Sequence, residues 1–377
     1  MEDAFFRTHT YLLEHTHAPV RRTLMDEIDW NYRLIGIVGT RGVGKTTFLL
    51  QYALEKFGIA DPRCLYVNMN NFYFQGHSIV DFAGDFIRDG GKVLLIDQVF
   101  KHPEWSLELR KCYDRYPNLK IIFTGSSVMR LEENYPELKG IVKSYDLWGF
   151  SFREFLNLQT GNHFHPYSLE EILGNHEHII KDILPNVSPI KYFQDYIHHG
   201  FYPFFLEHRD FSENLLKTMN MMTEVDILLI KQIELKYLSK IKKLFYLLAV
   251  GGPKAPNISQ LAHDIRTSRA TVMNYIKYLA DARLINIIYP QGQEFPKKPA
   301  KVMMQNSNLM FALWKNHIVN IGPKGHYFLV DNKLKFKVCD AKAPGKLRLN
   351  PDIIYSRYNT EVGRGNQIPL WLLGFQY

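Results

Sequence analysis

One eight-residue motif constrains this chain more than any other feature of its sequence. Residues 39–46 read GTRGVGKT, a complete GxxxxGK[ST] pattern, after the apolar run at 34–38 and before the helical pattern TTFLLQYALEKF. Glycines let such a loop curl so that its N–H groups and the helix N-terminus face phosphate oxygens. The motif therefore predicts an ATP-binding phosphate loop with the contact residues Gly39, Thr40, Arg41, Gly42, Val43, Gly44, Lys45, Thr46 and Thr47.

A magnesium site is predicted beside this loop. Lys45 is expected to neutralise charge on the β- and γ-phosphates, and the Thr46 hydroxyl to ligate Mg²⁺. Residues 92–97, KVLLID, form an apolar run that ends in Asp97, as a Walker B acid that orders Mg²⁺ should. We therefore predict Thr46 and Asp97 as the metal residues, with ATP and Mg²⁺ as the cofactors.

The chain around these motifs predicts an α/β fold and several domains. Short apolar runs alternate with helical patterns from residue 34 to 147, which is typical of βαβ units in a parallel sheet. A single core stops growing near about 250–300 residues, fewer than the 377 present. Hydrophobic residues make up 46%, which excludes a largely disordered chain. We predict a P-loop core with an N-terminal helical segment at 1–150, a helical lid at 151–236, a winged-helix domain at 237–304 and a small α+β cap at 305–377.

A third polar strand end follows at residues 120–127, KIIFTGSS. It is expected to place Thr124, Ser126 or Ser127 beside the γ-phosphate, and Ser126 is our choice for this sensor position. The same Gly-Ser-Ser is also consistent with a simple turn and helix cap.

Taken together, these motifs resemble the AAA-type P-loop ATPases of bacteria and archaea. The resemblance covers about residues 20–300 and is specific in the P-loop, Asp97, the stretch HPEW at 102–105, Ser126-Ser127 and DLWGFSFREFLNL. It implies a helical lid, a C-terminal winged-helix or nuclease-like extension, and assembly into rings. In such rings an arginine of one subunit reaches the γ-phosphate of the next, and Arg130 and Arg153 are the candidates. For Arg153, a salt bridge on the lid surface is an equal alternative.

The resembled family usually has glutamate where Gln98 stands, so hydrolysis by this chain is in question. An amide can hold the attacking water but cannot take its proton. Two explanations stay open. Gln98 is natural and marks a slow ATPase or a switch, or it is an introduced Glu→Gln change that traps the ATP-bound state. We favour the second, because the complete P-loop and Asp97 indicate selection for hydrolysis.

Residues 257–304 have the pattern of a winged helix. Two short helical segments flank the turn at 266–268, and a strand, a basic loop and a return strand follow. Basic and polar residues on the second helix and the loop suit DNA contacts, and they predict the DNA-binding residues Arg266, Arg269, Asn274, Lys277, Lys297 and Lys298. A protein-contact module with a solvated basic face is the alternative. The net charge of +8 favours DNA.

The C-terminal tail loosely resembles a metal-dependent nuclease through Asp331 and the triplet 340–342, DAK. No upstream acid completes a metal site, so we expect a structural cap whose aromatics Trp371, Phe375 and Tyr377 pack against the body. The three widely spaced cysteines predict a reducing compartment, and no apolar run is long enough for a membrane span. We expect a cytoplasmic protein without a membrane partner.

The order ATPase core, lid and winged helix leads to two functional hypotheses. The first is a ring-forming DNA-remodelling or branch-moving motor, with DNA as partner and a hexamer as one arrangement of the homo-oligomer. The second is a nucleotide-controlled signalling or transcription switch that works without processive motion. A motor needs rapid turnover and trans-acting arginines, whereas a switch tolerates slow hydrolysis.

Overall fold

A computed structural model describes residues 2–207, 210–252, 254–305, 319–321, 327–331, 333–340 and 350–376. The chain divides into two compact units. The first unit comprises residues 1–149 and 225–232, and the second comprises 150–224 and 233–377. The segment 225–232, which lies within the predicted lid, thus groups with the P-loop core. The four predicted domain boundaries themselves stay a prediction.

A five-stranded parallel sheet forms the centre of the first unit. Its strands run in the spatial order β2-β3-β4-β1-β5, and every neighbouring pair is parallel. Strands β1 to β4 are nearly continuous apolar runs, because both faces of a parallel sheet are covered. The predicted α/β P-loop core is therefore confirmed. The strands are β1 Leu34–Gly39, β2 Cys64–Asn68, β3 Val93–Asp97, β4 Lys120–Ser126 and β5 Val142–Asp146.

Helices cover this sheet. They are α1 Glu2–Glu14, α2 Leu24–Glu27, α3 Lys45–Phe57, α4 Ile79–Arg88, α5 Trp105–Arg115 and α6 Leu131–Asn134. Helix α1 buries Phe5, His9 and Leu13, which recur every four residues along one face. The Nδ1 atom of His9 accepts a hydrogen bond of 3.1 Å from the Tyr66 amide of the edge strand β2. The N-terminal helix is thereby tied to the sheet edge.

The second unit begins with four helices, of which the first three share one core. They are α7 Phe152–Thr160, α8 Leu169–Ile183, α9 Pro189–Asp195 and α10 Phe211–Met221, with a π-helical turn at Tyr196–Gly200. Ser151 and Ser168 each form a capping box, which defines the starts of α7 and α8. Trp371 and Phe375, two of the predicted cap aromatics, are buried in the same core as Phe152 and Phe155. Tyr377 lies outside the described residues.

A π-helical turn at Met222–Ile227 leads into the short helix α11 Leu228–Ile230, and residues 225–230 belong to the first unit. Ile230 packs against the core of the first unit.

Helices and a hairpin occupy residues 238–304 of the second unit. These are α12 Leu238–Gly251, α13 Ile258–Asp264, α14 Arg269–Asp281, β6 Ile285–Ile288 and β7 Lys301–Met304, with β6 and β7 antiparallel. Asn257 and Ser268 cap α13 and α14 with their side chains. This is the order of elements that the sequence indicates, and its identity as a winged helix stays a prediction.

A second five-stranded sheet, in the order β12-β11-β10-β9-β8, completes the second unit. Its strands are β8 Val319–Ile321, β9 Phe328–Val330, β10 Leu334–Asp340, β11 Ile353–Tyr358 and β12 Gln367–Pro369. Asp331 lies in the turn between β9 and β10, with a left-handed φ of 51°. The rest of the predicted nuclease-like triplet, residues 341–342, lies outside the described part. Among the helices that the structure describes, none combines the length and apolar character needed to cross a bilayer.

Candidate nucleotide-binding site

The loop between β1 and α3 has the backbone of a phosphate-binding loop. Gly42 and Gly44 adopt φ values of 81° and 89°, in the left-handed region that glycine adopts most readily. A Cβ atom at Gly39 would lie 2.3 Å from the carbonyl oxygen of Leu147, so this position has no room for a side chain. Helix α3 begins at Lys45, directly after Gly44. The N-terminus of a three-turn helix and a glycine-rich turn therefore share one edge of the sheet.

The side chain of Lys45 lies over this loop. Its Nζ atom donates to the carbonyl oxygens of Gly39, at 2.8 Å, and Thr40, at 2.7 Å. An ammonium group over this loop would neutralise the charge of bound phosphates.

Asp97 is the centre of a buried polar network at the end of β3. Its side chain is 1% exposed and accepts hydrogen bonds from the hydroxyl of Thr46 at 2.7 Å, from the hydroxyl of Thr124 and, at 3.2 Å, from the amide of Asn68. The predicted pair Thr46 and Asp97 is therefore in direct contact.

Tyr66 is a further member of this network. Its hydroxyl donates to Asp97 at 2.9 Å, and burial, followed by the charge of Asp97, raises the pKa of the phenol. Tyr66 and Asn68 were missed in the sequence, because the apolar runs do not reveal that β2 lies beside β3. They hold the carboxylate in one orientation.

Gln98 follows Asp97 in a left-handed conformation with a φ of 54°. Its backbone N–H donates to the Thr124 hydroxyl at 2.8 Å, and the same hydroxyl donates to Asp97. Thr124 thus connects the ends of β3 and β4. Of the three hydroxyls considered for the sensor position, Thr124 is the one that contacts the Walker B acid.

Ser126 and Ser127 lie beside the phosphate loop. The N–H of Ser127 donates to Gly39 at 3.1 Å. The hydroxyls of Ser127 and Thr40 are buried, and within the described part of the chain they have no hydrogen-bond partner. Buried hydroxyls usually have hydrogen-bond partners, so these two, beside the glycine-rich loop, suit a ligand whose oxygen atoms would accept their hydrogen bonds.

Asp226, from the segment 225–232, was not recognised from the sequence. Its carboxylate is 3% exposed, accepts from the Ser126 hydroxyl at 3.1 Å and pairs with the Arg41 guanidinium at 2.8 Å. Burial and then the charge of Arg41 lower the pKa of the neighbouring Lys101, against the opposing effect of Asp226. Because Asp226 lies 185 residues beyond Arg41, no local pattern could have predicted this contact.

Arg22 stabilises the phosphate loop through buried hydrogen bonds, a role that was also missed in the sequence. Its guanidinium donates to the carbonyls of Val43 at 3.1 Å, Trp148 at 2.7 Å and Gly149 at 3.0 Å. One buried arginine thus joins the phosphate loop to the chain after β5. The TLM segment that follows it carries no motif, so only the tertiary contacts reveal this role.

The two predicted trans-acting arginines differ in their surroundings. Arg130 is 42% exposed and pairs with Glu133 at 2.6 Å, one turn along the chain. Arg153 is 6% exposed, lies inside the second unit and donates to the carbonyl of Phe164 at 3.1 Å. Arg153 is therefore buried, and Arg130 is the exposed candidate.

The predicted DNA-binding residues lie in the second unit. Arg266, Arg269, Asn274, Lys297 and Lys298 are exposed. Lys277 is half-buried, with its ammonium 4.6 Å from the ring centroid of Phe295. The Arg266 backbone is left-handed, with a φ of 51°.

The donor set at the end of β3 fits ATP and Mg²⁺. Mg²⁺ prefers hard oxygen ligands, and Thr46 and Asp97 bring a hydroxyl and a carboxylate into contact. When bound, Mg²⁺ would neutralise phosphate charge. The residues that would hold the phosphates are the loop amides, Lys45 and Arg41, and Thr46 with Asp97 would hold the metal.

Comparison with known proteins agrees with this geometry for part of the chain. Residues 31–156 match the AAA domain family, and residues 190–313 match a domain of unknown function, DUF8612. The uncharacterized protein MJ1637 of Methanocaldococcus jannaschii is 30% identical over 299 residues. That match covers 74% of this chain and 62% of the length of MJ1637.

Solved structures show weaker likenesses. The Aeropyrum pernix ORC1 protein, solved in complex with DNA, is 11% identical, with 81% of this chain and 89% of that chain covered and a TM-score of 0.32. A Thermotoga maritima RuvB variant is 13% identical, with 80% and 92% covered and a TM-score of 0.28. Such scores carry no functional argument. Residues 31–156, which contain the parallel sheet and the phosphate loop, thus match the AAA domain family.

Proposed function

We propose that this chain is an ATP-binding AAA-type ATPase that couples its nucleotide state to DNA binding. The observation that carries the nucleotide part is the contact between Thr46 and Asp97, at 2.7 Å, beneath a glycine-rich loop that holds Lys45. This contact brings the two predicted Mg²⁺ residues together from positions 51 residues apart. The proposed cofactors are ATP and Mg²⁺, and the proposed location is the cytoplasm.

The DNA part of the proposal is supported by charge and exposure. Arg269 begins α14 and Arg266 lies in the turn before it, while Lys297 and Lys298 lie in the loop between β6 and β7. All four residues are exposed. Basic residues on a helix and an adjacent hairpin loop suit phosphate contacts on either side of a groove. A DNA-remodelling or branch-moving motor, assembled as a homo-oligomeric ring, is our first choice.

Nucleotide-dependent DNA binding tests this proposal. The affinity for a fluorescein-labelled duplex is measured by anisotropy without nucleotide, with ADP·Mg²⁺ and with ATP·Mg²⁺. We expect the affinity to differ between the nucleotide states, and Lys45→Ala to abolish the difference while DNA binding itself persists. Identical DNA affinities in all states would contradict the coupling, and absence of DNA binding would contradict the DNA partner.

A nucleotide-controlled switch is the second candidate. It is favoured by Gln98, which cannot act as a general base, and by the burial of Arg153 within the second unit. ATP hydrolysis in the Gln98→Glu background separates the two candidates. A motor requires strong stimulation of the rate by DNA, whereas a switch shows a rate that DNA leaves unchanged.

A further inference from the structure

The Arg41–Asp226 pair lies at the meeting point of two nucleotide-site elements. Arg41 belongs to the phosphate loop, and Ser126 ends the strand predicted to sense the γ-phosphate. Asp226 contacts both, with its carboxylate 2.8 Å from the Arg41 guanidinium and 3.1 Å from the Ser126 hydroxyl. A single carboxylate therefore uses two donors that suit a phosphate oxygen.

Burial makes this arrangement sensitive to a competing anion. The Asp226 side chain is 3% exposed, and taking a carboxylate out of water is costly unless its partners remain in place. Arg41 is 22% exposed and can be reached from solvent. Lys45 and Lys101 add positive charge to the same edge of the sheet, where Lys101 senses the charges of both Arg41 and Asp226.

We propose that Asp226 is a nucleotide-sensing residue whose carboxylate competes with the γ-phosphate of ATP for Arg41 and Ser126. The proposal rests on the proposed nucleotide binding and adds how the site distinguishes ATP from ADP. ATP brings a terminal phosphate to the two donors and places negative charge beside the carboxylate, which releases Asp226. ADP lacks that phosphate, so Asp226 keeps its partners.

The position of Asp226 in the chain gives its release a consequence. Asp226 lies in a π-helical turn, a local irregularity that often occurs at functional sites. The segment 225–232 is flanked on both sides by residues of the second unit, 150–224 and 233–377. The segment that carries Asp226 is therefore joined by the backbone to the second unit on both sides, and these two connections are where its release would act.

Hydrogen exchange of the unmodified protein is the first test. Exchange of backbone amides in peptides covering 225–232 is measured without nucleotide, with ADP·Mg²⁺ and with ATP·Mg²⁺. We expect exchange to be about tenfold faster with ATP and unchanged with ADP. A tenfold increase corresponds to a segment that Asp226 holds in place in roughly nine-tenths of the molecules when ATP is absent. Equal exchange in the ATP and ADP states would overturn the proposal.

Two charge-removing variants provide the second test. Binding of fluorescent mant-ATP and mant-ADP is compared for Asp226→Asn and for Glu224→Gln. Glu224 is a matched control two residues away, because it pairs with Lys242 instead of Arg41. We expect Asp226→Asn to raise the affinity for ATP about tenfold more than that for ADP, and Glu224→Gln to change neither.

The possible outcomes distinguish the sensing role of Asp226 from nucleotide binding itself. If the unmodified protein binds neither nucleotide, both proposals fail. If it binds ATP but Asp226→Asn lowers the affinities for ATP and ADP equally, or changes neither affinity, Asp226 has only a structural role. The sensing proposal is then overturned, while nucleotide binding stands.

Discussion

At the scale of single residues, Gln98 is held directly after Asp97, where a side chain that can or cannot accept a proton would affect ATP hydrolysis. Its backbone has a left-handed φ of 54°, uncommon outside glycine, and its N–H is held by the hydroxyl of Thr124. Residues in such conformations cluster at functional sites, where surrounding contacts over-determine them. Asp97 is the preceding residue, and its carboxylate accepts a hydrogen bond from Thr46. The site therefore has the phosphate and metal groups around a position that carries an amide.

The Gln98→Glu change is expected to raise steady-state phosphate release by about 10²–10⁴, because a carboxylate can take a proton from the attacking water. ATP affinity should change little, since Lys45, Thr46 and Asp97 are unaffected. Gln75→Glu is the matched control, because Gln75 is exposed at the end of a short 3₁₀ helix. Equal rates for Gln98→Glu and the unmodified protein would show that water is activated by another group.

At the scale of elements, α1 is attached to the sheet through a buried imidazole. His9 is 2% exposed and accepts the Tyr66 N–H of β2, so its Nδ1 atom must be unprotonated. Burial lowers the pKa of His9 to about 4, below the 6.5 of an unperturbed histidine. The same strand carries Tyr66 to Asp97, so the helix, the strand edge and the candidate site share one set of contacts.

Folding stability should therefore depend on pH through His9. The unfolded chain takes up a proton near pH 6.5, whereas the native imidazole resists protonation until about pH 4. The contribution of His9 is complete above pH 6.5 and falls by up to about 3 kcal/mol as the pH drops to 4. Urea unfolding at several pH values measures it. His9→Asn, which keeps an acceptor that does not titrate, should flatten the dependence, and the exposed-site control His17→Asn should not.

The predicted DNA-binding module is another test at this scale. Replacing Arg269, Lys297 and Lys298 by Ala should lower the log–log salt slope of DNA binding by nearly 3, at about 0.9 for each lost phosphate contact. Arg266 is left in place because Ala would have to adopt its left-handed φ of 51°, and Lys277 because it packs over Phe295.

The control for this triple variant removes equal charge elsewhere, by Ala at the exposed Arg88, Lys217 and Lys236. Its salt slope should equal that of the unmodified protein. The same affinity and slope for both triple variants would indicate that α14 and its hairpin face a protein partner.

At the scale of the whole molecule, Arg130 is the candidate residue by which one chain would complete the site of another. Arg130 is exposed and is paired with Glu133, three residues along the chain. A surface pair of this kind contributes little to stability and can exchange partners at low cost. We therefore predict that Arg130 serves the site of a neighbouring subunit.

Mixing variants tests this trans role. In the Gln98→Glu background, Arg130→Ala lacks the arginine and Lys45→Ala lacks the phosphate lysine, so each homogeneous protein should hydrolyse ATP slowly. A mixture creates interfaces with an intact loop and an intact arginine, and its rate should exceed the sum of the two. Arg88→Ala, another exposed arginine of the first unit, should keep the full rate alone. No recovery at any mixing ratio would assign the site to a single chain.

The sequence by itself determined the glycine-rich loop before α3, the carboxylate that ends β3 and the parallel core. Each is a local pattern, since a glycine-rich turn needs particular backbone angles and a strand buried on both faces needs a continuous apolar run. The partners of Asp97 were only half accessible in this way. Thr46 follows from the motif, but Tyr66 and Thr124 depend on which strands flank β3 in the order β2-β3-β4.

Only the tertiary structure decided what surrounds the loop. Asp226 reaches Arg41 across 185 residues, and Arg22 reaches the carbonyl of Gly149 across 127. Burial likewise distinguishes Arg130 from Arg153, two arginines that the sequence offers for the same trans-acting role. The physical reason is that a buried charge is stable only where the fold supplies its partners, and long-range partners leave no periodicity or spacing in the chain.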